Sequence, residues 1–380
     1  MSSVSTPTPA VPARRPAGRW RRLLKRTLQA LAGLVALLLL AGASYEFISE
    51  RLDAHRFPQQ GRSVSLGPEF PDVSLNLDCT GPAASGRALP TVILDSGLGI
   101  PAMGWKLVQD EVARFARVCS YDRAGYGWSS EGPLPRTSLE IAKELHALLE
   151  AAGEKGPFVM VGHSFGGYNV RVYTGRYPHD VVGMVLVDAS HEDQNKRTPP
   201  AMRASLEPPT DIELKLANVL HYLGVSRALA GEPEAGQLPR QFIRQLTALQ
   251  QSAKFNTVVI KELQSFATSA EQVRAAGNLG DRPLIVLTAA KGESAAGQPP
   301  GITQKDLDAM HRIWTDELQV SEMHLSTRGK RLIVADSGHL IPFERPDAVT
   351  AAIREVCEAA YGQGGDPNAV ALPAAEHKQE

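Results

Sequence analysis

The run Gly162-His163-Ser164-Phe165-Gly166 holds the residues best suited to chemistry. An apolar stretch, Phe158 to Val161, stops at this pentapeptide, and a helix-compatible segment follows it. Strand, sharp turn and helix in that order strain the backbone of the apical residue, and small residues two before and two after it let strand and helix pass closely. Ser164 is thereby pushed out as a nucleophile. The Phe165 amide, at the helix start, is free to meet negative charge developing on an attacked carbonyl.

A serine hydroxyl needs a base to take its proton, and histidine is the side chain whose pKa suits that task near neutrality. His339 stands in Ser337-Gly338-His339-Leu340-Ile341-Pro342, just past an apolar strand, on the sheet edge where Ser164 must sit. The other histidines fit less well: His146 is on a helical pattern, His163 is inside the elbow and His221 is in a helical region. The third partner is a carboxylate that holds the imidazole tautomer and stabilises the imidazolium. Two positions compete: Asp188, ending Val181 to Val187, and Glu293, after the run Leu284 to Thr288. Asp336, three residues before His339, reads as holding its own turn. The Gly-rich loop Asp95-Ser96-Gly97-Leu98-Gly99 supplies a candidate second oxyanion donor, the Leu98 amide.

These residues must be positioned by a sheet. Short apolar runs at Thr91 to Leu94, Ala116 to Tyr121, Phe158 to Val161, Val181 to Val187, Pro283 to Thr288 and Arg331 to Ala335 read as strands, Thr91 to Leu94 as one buried on both faces and Val181 to Val187 as another buried strand. Helical spacings lie between them, at Trp105 to Phe115, Ser138 to Ala152, Thr303 to Ser321 and Pro346 to Tyr361. Ser138 is taken as the cap of its helix. Alternation in Arg62 to Leu77 predicts an antiparallel hairpin, and Gly81 to Gly86 a turn-rich break. Repeated βα units predict a mostly parallel sheet with helices on both faces. From His191 to Gly280 the alternation lapses into helical patterns, an insertion expected to cover the carboxyl edge of the sheet. In the loop Asp122 to Ser129, the pair Asp122 and Arg123 is expected to brace the turn rather than to perform chemistry.

Taken together, the Gly162 to Gly166 elbow, the Asp95 to Gly99 loop, the Asp122 to Gly127 loop, the Gly338-His339 pair and the order Ser, acid, His resemble the α/β-hydrolase superfamily. The resemblance is to its compact bacterial esterase, peptidase and lipase-like members with a helical cap, over about Ser63 to Tyr361. It implies the α/β-hydrolase fold and acyl transfer. Two departures stand out: Ser96-Gly97 replaces the usual His-Gly, and the loop after Leu284 to Thr288 has no Asp. Some cap-bearing members, such as certain haloalkane dehalogenases, carry the acid one strand earlier. That resemblance assigns the role to Asp188, with Glu293 as the alternative. Haloalkane dehalogenases and epoxide hydrolases need a carboxylate nucleophile, so Ser164 points away from their chemistry.

The chain has 380 residues and 43% apolar content, enough for a sizeable core. Its net charge is −1, yet seven cations (Arg14, Arg15, Arg19, Arg21, Arg22, Lys25 and Arg26) precede the first acid, Glu46, leaving −8 for the remainder. An acidic main body argues against nucleic acid as a partner. The apolar run Thr27 to Tyr45 would span roughly 28 Å as a helix, about one bilayer core. With the cations before it, this predicts a single-pass anchor, cytoplasmic at its N-terminus, with the catalytic domain on the periplasmic or extracellular side. Export after signal cleavage near Ala41-Gly42-Ala43 is the alternative.

The expected organisation is a basic flexible tail (1–26), a transmembrane helix or signal sequence (27–45), a charged juncture (Glu46 to Gly61), a hydrolase core in two parts (62–190 and 281–362), a helical cap (191–280) and a disordered tail (363–380). Cys79, Cys119 and Cys357 are too few for a disulfide scaffold; a Cys79–Cys119 bridge and buried free thiols both stay open. No P-loop, Rossmann fingerprint or HExxH motif occurs, so no cofactor and no metal are implied. The expected function is a serine hydrolase acting on a small-molecule or lipid-like ester, or an amide, with moderately hydrophobic acyl groups. A non-catalytic ligand-binding protein on the same fold is the competing reading.

Overall fold

The computed structural model describes residues 17–82, 89–203, 206–230 and 238–361. Residues 1–16 of the expected N-terminal tail, the whole expected C-terminal tail (363–380) and most of the turn-rich break lie outside them.

The apolar runs form one eight-stranded sheet: β1 (Arg62–Ser65), β2 (Ser74–Thr80), β3 (Thr91–Asp95), β4 (Val118–Tyr121), β5 (Phe158–His163), β6 (Val181–Val187), β7 (Leu284–Ala289) and β8 (Gly329–Val334). Their spatial order is β1-β2-β4-β3-β5-β6-β7-β8. β1 and β2 form the predicted antiparallel hairpin, β2 joins β4 antiparallel, and the rest of the sheet is parallel. β3, β5 and β7 are buried at every residue because helices cover both faces. Successive side chains point to opposite faces. Met160, Leu186 and Val286 therefore pack against α3 (Ser138–Ala152) and α4 (Gly166–Arg176), while Val159, Val161 and Val185 pack with α2 (Lys106–Val112) and the C-terminal helix at Pro346–Tyr361. Each fully buried aliphatic side chain contributes about 1.5–3 kcal/mol.

Between β6 and β7 the chain is helical: α5 (Gln194–Arg197), α6 (Pro200–Arg203), α7 (Asp211–Tyr222), α8 (Val225–Leu229), α9 (Arg240–Gln250), α10 (Ala253–Gln264) and α11 (Phe266–Ala276). After β7 come α12 (Gln304–Ile313), a π-helical turn (Trp314–Leu318) and α13 (Gln319–Met323); α14 (Ile341–Glu344) and α15 (Pro346–Tyr361) follow β8. Cys79 and Cys119 are directly opposed on β2 and β4 and are joined by a disulfide, while Cys357 is a buried free thiol on α15.

Several boundaries shift from the sequence reading, and three of the differences bear on structure. The first helix, α1, runs over Ala17–Arg56, so residues 17–26 and most of the juncture continue the apolar segment as one helix. Arg, Lys, Leu and Glu in these flanks are good helix formers, and extending an existing helix adds one bond per residue fixed. The cap of α3 is Thr137, not Ser138: the Thr137 side chain accepts the Glu140 N–H, and Ser138 is the first helical residue. The predicted helix over Thr303 to Ser321 is interrupted by the π turn, which presents Trp314 to the sheet edge.

Candidate active site

Ser164 sits at the turn between β5 and α4 with φ at +52°, a left-handed conformation that a non-glycine residue adopts at a cost. The elbow is too tight for side chains on either side. A methyl group at Gly162 would lie 2.6 Å from the Gly166 carbonyl oxygen, and one at Gly166 would lie 2.3 Å from that of Asp95. The Ser164 N–H donates to the Val187 carbonyl at 3.2 Å, and the Ser164 carbonyl accepts from the Ser190 N–H at 2.9 Å, tying the turn to the end of β6.

His339 follows β8 and reaches back over the sheet edge. Its Nε2 lies 3.0 Å from Ser164 Oγ and its Nδ1 2.7 Å from Asp188 Oδ2. Asp188, buried at the end of β6, also has positive φ, at +42°. Its other oxygen, Oδ1, accepts the Ala289 N–H and the Trp314 Nε1–H, both at 3.0 Å. Both carboxylate oxygens are thus engaged, which fixes the edge that faces His339. Of the two candidate acids, the fold brings Asp188 to the imidazole. The Glu293 carboxylate instead accepts from Gln298 Nε2 at 3.1 Å.

Electrostatics separate the two neighbouring histidines. Burial, with His339 alongside, pushes the His163 pKa down to about 3, so its ring is neutral. His163 Nε2–H donates to the His339 carbonyl at 2.9 Å, holding the His339 backbone in place. For His339, desolvation acts to lower the pKa, but the hydrogen bond and charge of Asp188, aided by Glu293, outweigh it and leave the pKa raised. The His339 side chain is 41% exposed, so solvent screens part of that effect.

The loop after β3 passes beside Ser164: a methyl at Gly97 would fall 3.3 Å from Ser164 Cβ. Neither the Leu98 nor the Phe165 amide donates a backbone hydrogen bond among the described residues. The loop is held by Arg123, which does more than brace its own turn. Its guanidinium donates to Asp95 Oδ1 (2.9 Å), the Ser96 carbonyl (2.6 Å) and the Gly97 carbonyl (3.1 Å). On its other side it donates to both oxygens of Glu262, on α10, at 2.9 and 3.1 Å. Tyr126 O–H donates to Glu262 Oε2 at 2.6 Å and accepts the Gly99 N–H at 3.0 Å, while Gln250 of α9 donates to the Gly99 carbonyl at 2.8 Å. Arg123 and Glu262 are fully buried, so the helical insertion and the loop share one water-excluded ionic network. Nothing in the sequence flagged Glu262, since it lies 139 residues from Arg123 in an ordinary helical pattern.

A cavity of about 240 Å³ opens on the acid side of His339, lined by Asp188, Met202, Leu307, Met310, Trp314 and His339 among others. Ser164 does not line it.

Residues 92–352 match the model of the alpha/beta hydrolase family. The chain belongs to that family. The Hormonema carpetanum protein named "Probable transporter efuK" is 26% identical over 300 residues, which are 71% of this chain and 39% of that protein. An uncharacterized vacuolar membrane protein of Saccharomyces cerevisiae is 41% identical over 114 residues, 29% of this chain and 18% of that protein. The chain spans about two fifths of the length of the first curated relatives it matches, 39% to 43%. Among solved structures, a thermophilic esterase from Thermogutta terrifontis superposes with a TM-score of 0.51 at 19% identity, over 80% of this chain and 99% of that one. As expected from the sequence, the fold is that of an α/β-hydrolase, a mostly parallel sheet preceded by one N-terminal apolar helix.

Proposed function

We propose that the protein is a serine hydrolase that cleaves an ester by acyl transfer, with Ser164, His339 and Asp188 as its catalytic triad. The observation that carries this reading is the hydrogen-bonded series from Ser164 Oγ to His339 Nε2, at 3.0 Å, and from His339 Nδ1 to Asp188, at 2.7 Å. In this mechanism Ser164 Oγ attacks the ester carbonyl as His339 Nε2 takes its proton, and Asp188 stabilises the resulting imidazolium. The amides of Leu98 and Phe165 receive the oxyanion. His339 then returns the proton to the departing alcohol, leaving an acyl-Ser164 that water hydrolyses by the same base. Helices α5 to α11 act as a cap, and Glu262 couples that cap to the oxyanion loop.

The proposed setting is a membrane. α1 contains a stretch of mean hydropathy 2.0 that is long and apolar enough to cross a bilayer, and that stretch is only 6% buried by the rest of the protein. Seven cations on its N-terminal side favour a cytoplasmic N-terminus, with the catalytic domain outside the cytoplasm. The Cys79–Cys119 disulfide fits a compartment that is not reducing.

A panel of p-nitrophenyl esters of rising acyl length, run beside aminoacyl anilides on the full chain in detergent, tests the reaction. Ester turnover that disappears in Ser164→Ala is expected. Ester turnover that survives in Ser164→Ala would contradict the proposal. The absence of turnover from the folded wild type across the whole panel would favour a ligand-binding role instead.

A further inference from the structure

The helical insertion is fastened to the membrane-proximal helix as well as to the active-site loop. Arg227 of α8 donates to Glu46 at 3.0 Å and to Asp53 at 2.6 Å, and His221 of α7 lies 3.4 Å from Glu50. Glu46 and His221 are both buried in this contact. The turn Leu223-Gly224 that joins α7 to α8 sits directly on α1. A methyl at Gly42 would fall 2.2 Å from the Leu223 carbonyl oxygen, so only glycine permits this approach. Gly42 lies within the apolar run and Glu46 is the first acid past it, which puts the contact at one end of the predicted span.

From that contact α7 carries an apolar stripe. Ile212, Leu216, Val219 and Leu223 recur at spacings of four, three and four, the repeat of a single helix face. Ile212 is 79% exposed, Leu216 58% and Val219 53%, and Leu229 on α8 is 80% exposed. The opposite face of α7 does the packing, through buried Leu214 and His221 and through Asn218, which donates to Thr257 of α10 at 3.0 Å. Charged residues flank the stripe, with Glu213 and Lys215 exposed beside it. A contiguous apolar face of this size marks an interaction site rather than ordinary surface.

We infer that α7 and α8 lay this stripe into the interfacial layer of the lipid bilayer that α1 enters. Resting on the anchored reading above, the inference gives the insertion a lipid-facing side. Continuity decides the occupant: the stripe ends at Leu223 against Gly42, and α1 beyond that point exposes Leu34, Leu37, Leu38 and Leu40. A helix with one apolar face and charged flanks suits the bilayer interface, not the hydrocarbon core. The ion pairs of Arg227 with Glu46 and Asp53 fix the height at which the stripe meets the membrane.

Spin labelling of the full chain in phosphatidylcholine–phosphatidylglycerol vesicles tests this. The native cysteines are disulfide-bonded or buried, so single labels can be introduced at Leu216→Cys, at Leu34→Cys within the span and at exposed Asp308→Cys on α12. The ratio of oxygen to nickel-chelate accessibility at 216 should exceed that at 308 by roughly threefold or more, as for a helix face bedded in the interface. A water-like label at 216 beside a lipid-like label at 34 overturns the inference and leaves the anchor intact. Water-like labels at both positions overturn the anchor and the inference together. Low accessibility to both reagents at 216, with dipolar broadening between labels, assigns the stripe to a second copy of the chain and also overturns the inference.

Discussion

His339 Nδ1 and Asp188 Oδ2 stand 2.7 Å apart although 151 residues separate them, and the fold leaves Glu293 bonded to Gln298 instead. Asp188→Asn should therefore preserve folding while lowering kcat by up to ~10⁴, because an amide favours the wrong imidazole tautomer. Glu293→Gln should stay within a few-fold of wild type. Steady-state kinetics on both variants, with circular dichroism to confirm folding, decide the point; collapse in Glu293→Gln alone would reverse the assignment.

The pH profile carries the same relationship. His339 must be neutral to act as a base, and Asp188 raises its pKa, so ester hydrolysis should rise with pH and lose its rate as pH falls through the raised histidine pKa. Removing the carboxylate removes the cause. The acidic limb of kcat/KM in Asp188→Asn should therefore move to lower pH, and a limb that stays put would point to a different titrating group.

In the proposed triad, Trp314 acts as a positioning residue for Asp188. Its indole N–H donates to Asp188 Oδ1 at 3.0 Å. A hydrogen bond to a charged group contributes about 1.5–3 kcal/mol, so Trp314→Phe should lower kcat by about tenfold or more. KM for a short ester should change little, because the ring's apolar bulk remains. An unchanged kcat would show that the Ala289 amide holds the carboxylate unaided.

Much of this site was legible because local pattern and chemistry coincide. β5 and the elbow are contiguous in sequence, and short apolar runs mark the strand ends where Ser164, Asp188 and His339 must emerge, even at β8, which lies at the sheet edge and is largely exposed. The choice between Asp188 and Glu293 was not written locally, since both follow a core strand and only tertiary distance separates them. Glu262 was hidden for a related reason: it lies beside the apolar face of Val259, Leu263 and Phe266, where local spacing assigns an acid no partner, and its burial depends on Arg123 arriving from another layer. The length of α1 was underestimated because charged residues after Tyr45 look like a juncture, whereas Glu46 and Asp53 are partnered by Arg227.

Glu262 and Arg123 form a buried pair, and truncating one partner of such a pair costs about 3–5 kcal/mol. Glu262→Ala should lower stability to denaturant by that order, and Glu262→Gln, which keeps an acceptor of the same shape, should recover part of it. Because Arg123 also holds the Ser96 and Gly97 carbonyls, Glu262→Gln should lower kcat more than it raises KM. A purely structural role would lower stability and leave the turnover of folded enzyme unchanged.

Mass spectrometry of the full chain after treatment with a fluorophosphonate probe addresses the central claim most directly, because the probe reacts with a hydroxyl only when a base and an oxyanion site activate it. The account predicts one adduct on the peptide containing Ser164, lost in Ser164→Ala and strongly slowed in His339→Ala. A folded wild-type protein that takes up no probe, or that carries the adduct on another residue, would contradict it.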